Sequence, residues 1–214
     1  MKTISPLAVA AALAFGAFAA QAQDNVFKIG VTRYDTHSRT NGISGIGVPA
    51  GADATVGDAT TVIFVYERLW GPNLGAELVI GIPPTIKAKA SGSVEFLNAT
   101  GTVLSAKNVA PTLLFNYHFF TAADTWRPYV GVGINYTRFT QVRSSLAPKV
   151  EMGDSWGPAA QVGLNYAITK DIGAFASIAA LKVKSKVVAT GSTVLTTTVD
   201  FRPLVYSAGV QYQF

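Results

Sequence analysis

The sequence predicts an all-β fold: an eight-stranded antiparallel transmembrane β-barrel with short periplasmic turns and long extracellular loops. Many stretches of the chain place apolar residues at every second position, as strands with one apolar face do. Beyond the N-terminal region no apolar run approaches the roughly 20 residues that a membrane helix requires, so a membrane protein with this sequence must cross by strands. Short and long connections between these stretches also alternate, as in bacterial outer-membrane barrels.

The N-terminal residues have the features of a secretory signal peptide. Lys2 supplies a positive charge, Leu7–Ala20 is an apolar run, and Ala20-Gln21-Ala22 is a small-residue cleavage site. The apolar run is shorter than the roughly 20 residues of a membrane anchor. We therefore expect residues 1–22 to be a signal peptide and residues 23–214 to form a single outer-membrane barrel.

The composition fits an outer-membrane barrel and disfavours other classes of protein. Hydrophobic residues make up 49% of the chain and charged residues only 14%, which is unusual for a soluble protein. The net charge of +5 comes from scattered basic residues, so nucleic-acid binding is not indicated. The chain has no cysteine, which excludes disulfides and thiolate metal sites.

The first four predicted strands each alternate apolar residues with small or polar ones. They are Val26–Asp35, Thr60–Trp70, Gly75–Lys89 and Lys107–Phe120. The Gly/Ser/Thr-rich stretch His37–Ala59 and the stretch Ala90–Ala106 lack strong periodicity and are expected to be loops. Gly71-Pro72-Asn73 is typical of a tight turn.

The last four predicted strands follow the same rule. They are Arg127–Gln141, Ser155–Ile168, Ile172–Lys186 and Thr197–Phe214. Short connections at Thr121–Trp126 and Thr169–Asp171 alternate with loops over Arg143–Asp154 and Val187–Leu195. The final strand has one apolar parity that ends on Phe214. Such a strand needs a partner on both edges and an apolar medium outside, and a closed barrel in a membrane supplies both.

Aromatic residues gather near the short-turn ends of the predicted strands, where we expect an aromatic girdle at the periplasmic interface. They are Tyr66, Trp70, Tyr117, Phe119, Tyr166, Tyr212 and Phe214. A soluble β-sandwich or lipocalin-like barrel is the alternative. It is disfavoured because the residues opposite these aromatics are small or carry amides, which suits a thin lumen.

Four ionisable residues are expected to face the lumen near the short-turn end: Lys28, Glu67, Glu77 and His118. An eight-stranded barrel has an interior just wide enough for side chains, and charges buried there must be paired. We interpret the four as a structural plug that closes the periplasmic end. A proton relay or a catalytic cluster is the alternative.

Further along the strands, the inward positions become apolar and small: Ile63, Val65, Val79, Gly81 and Leu114. A concave apolar site of this kind can hold a small hydrophobic molecule, although an ordinary filled core is equally consistent with the pattern. The seventh predicted strand is ambiguous, because either Lys182 and Lys184 or Ala179 and Leu181 could face the lumen.

The sequence gives little support for catalysis. Its two histidines are His37, beside Asp35 and Arg39 in the first loop, and His118, which has no neighbouring serine. No nucleophile and base stand out as a pair, so we expect no enzyme activity, no cofactor and no metal site.

Several stretches together resemble the OmpW family of outer-membrane proteins at matching order and spacing. These stretches are Gly75–Pro84 (GAELVIGIPP), Ala110–Phe119 (APTLLFNYHF), Trp126–Phe139 (WRPYVGVGINYTRF), Gly153–Tyr166 (GDSWGPAAQVGLNY) and Val199–Phe214 (VDFRPLVYSAGVQYQF). The resemblance implies an eight-stranded barrel in the bacterial outer membrane with a hydrophobic channel closed toward the periplasm. Related alkane-uptake proteins release small apolar solutes sideways through the barrel wall.

The resemblance also assigns channel positions to particular residues. The family narrows its channel with an apolar residue, Val79 here, and with a bulky aromatic where this chain has Ala179. A methyl group blocks a lumen less than an aromatic ring does, so the resemblance implies a wider or differently gated bore. Prolines remove ladder hydrogen bonds, and we expect Pro83, Pro84 and Pro111 to break strand pairing and to mark the lateral opening.

These observations predict an outer-membrane channel for passive uptake of small hydrophobic molecules. The alternative is a non-transporting structural or surface-recognition barrel that acts through its extracellular loops. The expected partners are outer-membrane lipid and lipopolysaccharide around the barrel and small hydrophobic solutes inside it, without nucleic acid. The sequence leaves the oligomeric state and the identity of the solute open.

Overall fold

The protein is a β-barrel with a β-structured extension at one end. The computed structural model describes residues 24–36, 39–45, 49–96, 102–121, 123–145, 147–191 and 194–214. The signal peptide predicted for residues 1–22 lies outside these residues. The strands of the described part are β1 (Asn25–Asp35), β2 (Arg39–Gly45), β3 (Ala52–Val56), β4 (Ala59–Trp70), β5 (Leu74–Gly81), β6 (Thr85–Gly92), β7 (Leu104–Val109), β8 (Thr112–His118), β9 (Trp126–Ser144), β10 (Lys149–Met152), β11 (Ser155–Ala167), β12 (Ile172–Leu181), β13 (Val183–Thr190), β14 (Val194–Phe201) and β15 (Leu204–Gln213).

Eight of these strands form a closed antiparallel ring. Its order is β1, β4, β5, β8, β9, β11, β12 and β15. The ring closes where β1 pairs with β15, from Val26 opposite Gln213 to Asp35 opposite Leu204. No strand of the ring therefore has a free edge there. The predicted fold class, an all-β barrel of eight antiparallel strands, is confirmed.

The outer face of the ring is apolar. Large hydrophobic side chains are exposed on every strand of the ring. Val31, Phe115, Val132, Val162 and Val210 are each more than half exposed. An exposed apolar surface of this extent fits a lipid environment. Near the short turns, Trp70, Tyr117, Phe119, Tyr166, Tyr212 and Phe214 are exposed as expected for the girdle, whereas Tyr66 is half-buried.

No helix in the described part of the chain is long and apolar enough to cross a membrane. The connections at one end of the ring are short: Gly71–Asn73 between β4 and β5, and residues 168–171 between β11 and β12. We call this end of the barrel the short-turn end. Side chains fill most of the inner face of the ring.

At the other end, the barrel continues into two four-stranded sheets. One consists of the last part of β9 with β7, β6 and β3, and the other of β10, β13, β14 and β2. Segments predicted as loops, such as His37–Ala59 and Val187–Leu195, thus contain strands. Val183, Ser185 and Val187 alternate with lysines, so the strand period continues into this region. The other strands of the extension depend on pairing between segments.

The strands break where the ring meets the extension. On one side β5 ends at Gly81 and β6 begins at Thr85, with Pro83 and Pro84 between them. On the neighbouring side of the wall, β7 ends at Val109 and β8 begins at Thr112. The predicted break in pairing at the prolines is confirmed, because a proline cannot donate to the ladder.

Candidate functional site

An ion network crosses the lumen near the short-turn end. Lys28 comes from β1, Glu67 from β4, Glu77 from β5 and His118 from β8, and each is at most 3% exposed. The Lys28 Nζ lies 2.8 Å from the Glu77 carboxylate and 3.0 Å from that of Glu67. The His118 Nε2 lies 2.7 Å from Glu67 Oε1. The four residues predicted as a plug are therefore in direct contact, although they come from four different strands.

Two amide side chains complete this network. Asn116 donates to Glu67 Oε1 at 2.8 Å, and Gln161 donates to Glu77 Oε1 at 2.9 Å and to Asn116 at 2.8 Å. A carboxylate can only accept, so the Nε2 of His118 donates to Glu67. Paired charges with several hydrogen bonds are the arrangement in which buried ions are tolerated. We call Lys28, Glu67, Glu77, Asn116, His118 and Gln161 the ion network.

Aromatic rings pack against the ion network from above. The Lys28 ammonium lies 5.0 Å from the ring centre of Tyr129, a distance at which a cation is attracted to an aromatic face. Tyr129 crosses the lumen because its neighbour on β11 is Gly163. A Cβ atom at residue 163 would lie 2.3 Å from the Tyr129 Cζ. This glycine is therefore required for the ring to close the bore.

Above the ion network lies a small cavity of about 40 Å³. All six residues predicted to line the channel contact it: Ile63, Val65, Val79, Gly81, Leu114 and Ala179. Leu181 also lines it, whereas Lys182 and Lys184 are exposed on the outside. The ambiguity of the seventh predicted strand is thus resolved, with Ala179 and Leu181 facing inward. We call this space the middle cavity.

A polar layer lies at the upper edge of the middle cavity. Asn135 donates to the Thr112 hydroxyl at 2.8 Å and accepts from the Thr137 hydroxyl at 2.7 Å. All three side chains are buried. Their hydrogen bonds satisfy one another, so the layer is stable without charged groups.

An apolar cavity lies above this layer, between the two sheets of the extension. Its volume is about 150 Å³. It is lined mainly by small and apolar side chains, among them Val56, Ala106, Phe139, Val150, Val187 and Val199. Sequence reasoning missed these residues because most belong to segments without long alternation. The available signal was the continued period at Val183 and Val187. We call this space the upper cavity.

The barrel wall has a gap at the height of the polar layer. The ladder between β5 and β8 ends at Val79 opposite Thr112, and that between β6 and β7 begins at Thr85 opposite Lys107. Between them, the backbone of Pro84 accepts one hydrogen bond, from Asn108. Pro83, Pro84 and Pro111 therefore lie on the two sides of an interrupted ladder.

The described residues give no support for metal binding or for catalysis by a histidine. They contain no group of three or more His, Asp or Glu side chains placed to hold a metal ion. His37, the other histidine considered from the sequence, lies outside them. His118 is bonded to Glu67 rather than to a hydroxyl nucleophile. The site is thus a lumen with a polar lower part and an apolar upper part.

A comparison with protein families finds one match over nearly the whole chain. The model of the OmpW family matches residues 21–214. Outer membrane protein W of Escherichia coli (strain K12) is 32% identical over 138 residues, which are 64% of this chain and 59% of that protein. The dibenzothiophene metabolism operon protein DoxH of Pseudomonas sp. (strain C18) is 33% identical over 122 residues, 56% of this chain and 54% of the relative. The chain thus spans less than two thirds of the length of these relatives.

Solved structures agree with the barrel fold. The outer membrane protein OprG from Pseudomonas aeruginosa superposes with a TM-score of 0.82 at 24% identity, covering 91% of this chain and 97% of that one. AlkL, solved in DMPC lipid bilayers, has a TM-score of 0.71 at 22% identity and covers 100% of this chain and 97% of its own. At these identities the likeness shows a shared outer-membrane barrel fold. The family and the fold are those of outer-membrane barrel proteins.

Proposed function

The chain belongs to the OmpW family of bacterial outer-membrane proteins, and we propose that it is a passive channel for small hydrophobic molecules that leave sideways through the barrel wall. The observation on which this proposal depends is the order of compartments along the lumen. An apolar cavity of about 150 Å³ lies above a buried ion network that fills the bore. The short turns would then face the periplasm and the extension the outside.

The upper cavity suits a small apolar solute. Transfer of apolar surface from water into such a cavity is favourable by roughly 25 cal/mol per Å². An apolar cavity of roughly 150 Å³ engineered in another protein stays dry and binds benzene. The upper cavity, at about 150 Å³, is thus matched to a solute of that size class. The name of the relative DoxH, a dibenzothiophene metabolism operon protein, fits an apolar aromatic solute.

Straight passage through the bore is opposed by charge and by packing. The ion network is almost inaccessible, and the middle cavity above it has only about 40 Å³. A hydrophobic solute that moved down would have to separate Lys28 from Glu67 and Glu77, which leaves buried charges unpaired at a cost of about 3–5 kcal/mol. The ion network would therefore act as the plug that closes the periplasmic end.

The gap at Pro83, Pro84 and Pro111 provides a route that avoids this cost. It lies at the height of the polar layer, directly below the upper cavity. On its outer side, Ile80 and Ile82 are about half exposed and continue the apolar surface toward lipid. A solute that left here would stay in apolar surroundings, and the transfer would need no energy source and no cofactor. The lining residues of the middle cavity would form the floor of this exit.

The proposal is tested by uptake into vesicles. Purified barrel is reconstituted, and the entry of a small aromatic solute is followed for the wild type and for Val79→Trp. Val79 forms the last ladder pair below the gap, so an indole there would fill the middle cavity beside the exit. We expect uptake to fall by roughly tenfold, corresponding to about 1.4 kcal/mol.

The same assay separates the alternative, a structural or surface-recognition barrel that acts through its extracellular loops. A non-transporting barrel predicts the same uptake for the wild type, for Val79→Trp and for a variant with a shortened turn around Gly191. A channel predicts that uptake falls in Val79→Trp and persists with the shortened turn. Uptake by protein-free vesicles equal to that by vesicles with wild-type barrel would contradict transport altogether.

A further inference from the structure

One outer face of the extension is basic. In the sheet of β3, β6, β7 and β9, the residues that point away from the upper cavity include four cations. These are Lys87 and Lys89 on β6, Lys107 on β7 and Arg143 on β9. Lys87 lies opposite Ser105, which in turn lies opposite Arg143, and Lys107 lies opposite Thr85. The alternate residues of β6, Ala88 and Ala90, are buried on the inner side. We call the four cations the basic face.

Within the described ranges, none of these four cations forms an ion pair. The nearby carboxylates are engaged elsewhere: Asp58 pairs with Arg33 at 2.9 Å, and Asp53 accepts from the backbone of Ala54. The opposite sheet differs, because its outer face has both signs of charge. There Lys149 pairs with Glu151 at 2.8 Å, and Asp200 lies opposite Lys184, which is exposed like Lys186. The basic face is therefore a concentration of positive charge on one side of the extension.

A groove in the outer wall runs beside the basic face. Its volume is about 620 Å³, and it is lined by Gly57, Asp58, Thr60, Pro84, Lys87 and Lys89. It exists because the ladder between β3 and β6 ends at Val56 opposite Ala88, and that between β4 and β5 at Ile63 opposite Gly81. Two lysines thus lie at the edge of a wall groove.

The groove lies at the upper boundary of the apolar band. On β4, Thr60 lines the groove and Trp70 lies at the aromatic girdle. At about 3.3 Å per residue and a tilt of about 40°, the strand between them rises roughly 25 Å along the barrel axis. This is about the height of the lipid-facing band of an outer-membrane barrel. Lys87 and Lys89 lie just above it, at the level of lipid headgroups.

We propose that the basic face binds the phosphate groups of lipopolysaccharide, the phosphorylated glycolipid of the outer leaflet, with its headgroup over the groove beside Pro84. Lys87 and Lys89 contact one phosphate, and Lys107 lies on the neighbouring strand to contact a second. Hydrogen bonds from ammonium groups to phosphate are charge-assisted and are strong at a membrane interface. The opposite sheet, with its mixed charges, does not offer such a site. The proposal is independent of transport.

The experiment measures lipid binding to the full barrel by native mass spectrometry in detergent. The probes are lipid A with two phosphates, the same lipid with its phosphates removed, and inorganic phosphate. We expect the phosphorylated lipid to bind the wild type roughly tenfold more tightly than the dephosphorylated one. Lys87→Ala/Lys89→Ala should remove this preference. The matched control, Lys184→Ala/Lys186→Ala, removes the same charge from the opposite sheet and should retain it.

Three outcomes would overturn the proposal. Equal binding of the two lipids to the wild type, or equal loss in the control variant, would overturn it. Displacement of lipid A by an equal concentration of inorganic phosphate would also overturn it, in favour of a free-phosphate site. If the double variant does not fold, the wild type decides alone: its preference must weaken as salt rises from about 50 to 500 mM, because salt screens exposed charges. Solute uptake by the same samples reports on transport separately.

Discussion

The ion network and the upper cavity belong to the same lumen but differ in the length and polarity of their inward side chains. In the network, long polar side chains reach across the bore and meet, so that Lys28 contacts carboxylates from two other strands. In the upper cavity, the corresponding positions hold small or β-branched residues such as Ala106 and Val187, which leave about 150 Å³ open. The comparison teaches that long polar side chains close the lumen at one level, whereas small side chains between the two sheets of the extension leave it hollow at another.

Small residues have opposite consequences in the two regions. In the ring, Gly163 allows Tyr129 to lie across the bore, and Gly131 leaves room for Asn116, whose Oδ1 would lie 2.1 Å from an added Cβ. These glycines help to close the lumen. In the extension, small residues of the two sheets face one another across the upper cavity, which stays open. Small residues thus close the bore only where a large neighbour lies over them.

The largest effect should come from breaking the ion network. Glu67→Gln removes one of the two carboxylates beside Lys28 while keeping the side-chain shape. Because a buried charge is left poorly paired, we expect a loss of about 3–5 kcal/mol in the free energy of unfolding. Urea unfolding in detergent micelles measures it. The control Glu151→Gln, in an exposed ion pair with Lys149, should leave stability unchanged. Equal stability of the Glu67 variant and the wild type would contradict a structural plug.

A smaller effect is expected where a ring, rather than a charge, closes the bore. Gly163→Ala would force Tyr129 to move, at a cost of about 1–3 kcal/mol for overpacking. It should also raise the ion leakage of reconstituted vesicles, because the ring covers the network. For comparison, Gly153→Ala places its Cβ no closer than 3.6 Å to other atoms and should change neither property. A stable Gly163 variant with wild-type leakage would show that Tyr129 does not close the lumen.

The smallest effect on stability should come from filling the upper cavity. Ala189 is half-buried and lines this cavity. Ala189→Trp should leave the unfolding free energy within about 1.5 kcal/mol of the wild type. Binding of a fluorescent apolar probe should fall roughly tenfold, since its site is occupied. Lys186→Trp adds the same ring on the outer face of β13 and should bind the probe normally. Unchanged probe binding in the Ala189 variant would place the solute site elsewhere.

Much of the ring could be predicted because each side chain of a barrel strand points either into the lumen or outward. The period of two placed Lys28, Glu67, Glu77 and His118 on the inner parity, and burial pressure in a narrow bore then favours their pairing. The interrupted ladder was predictable for a similar reason, because a proline lacks a donor wherever it occurs. Local chemistry was sufficient in both cases.

The extension and the upper cavity could not be predicted in this way. Its strands are short, and β2, β3 and β10 pair with partners that are distant in the chain, so their pairing depends on register rather than on period. The inward parity of β12 was ambiguous because both of its parities hold apolar or small residues, Phe175 and Leu181 on one and Ile178 and Ala180 on the other. Cavity volume depends on packing between two sheets, which a single strand pattern does not contain.

The central claim is that solute leaves through the wall at the interrupted ladder while the ion network stays closed. The chain has no cysteine, so a thiol pair can be introduced without background. Uptake into vesicles is measured for Ile82→Cys/Val109→Cys, whose side chains both face outward on the two sides of the gap, before and after a short bifunctional thiol reagent bridges it. A second pair, Tyr66→Cys/Leu78→Cys, lies across an intact ladder and serves as the control. Sideways exit predicts that bridging stops uptake in the first pair alone and that cleaving the bridge restores it; unchanged uptake with the gap bridged would contradict the account.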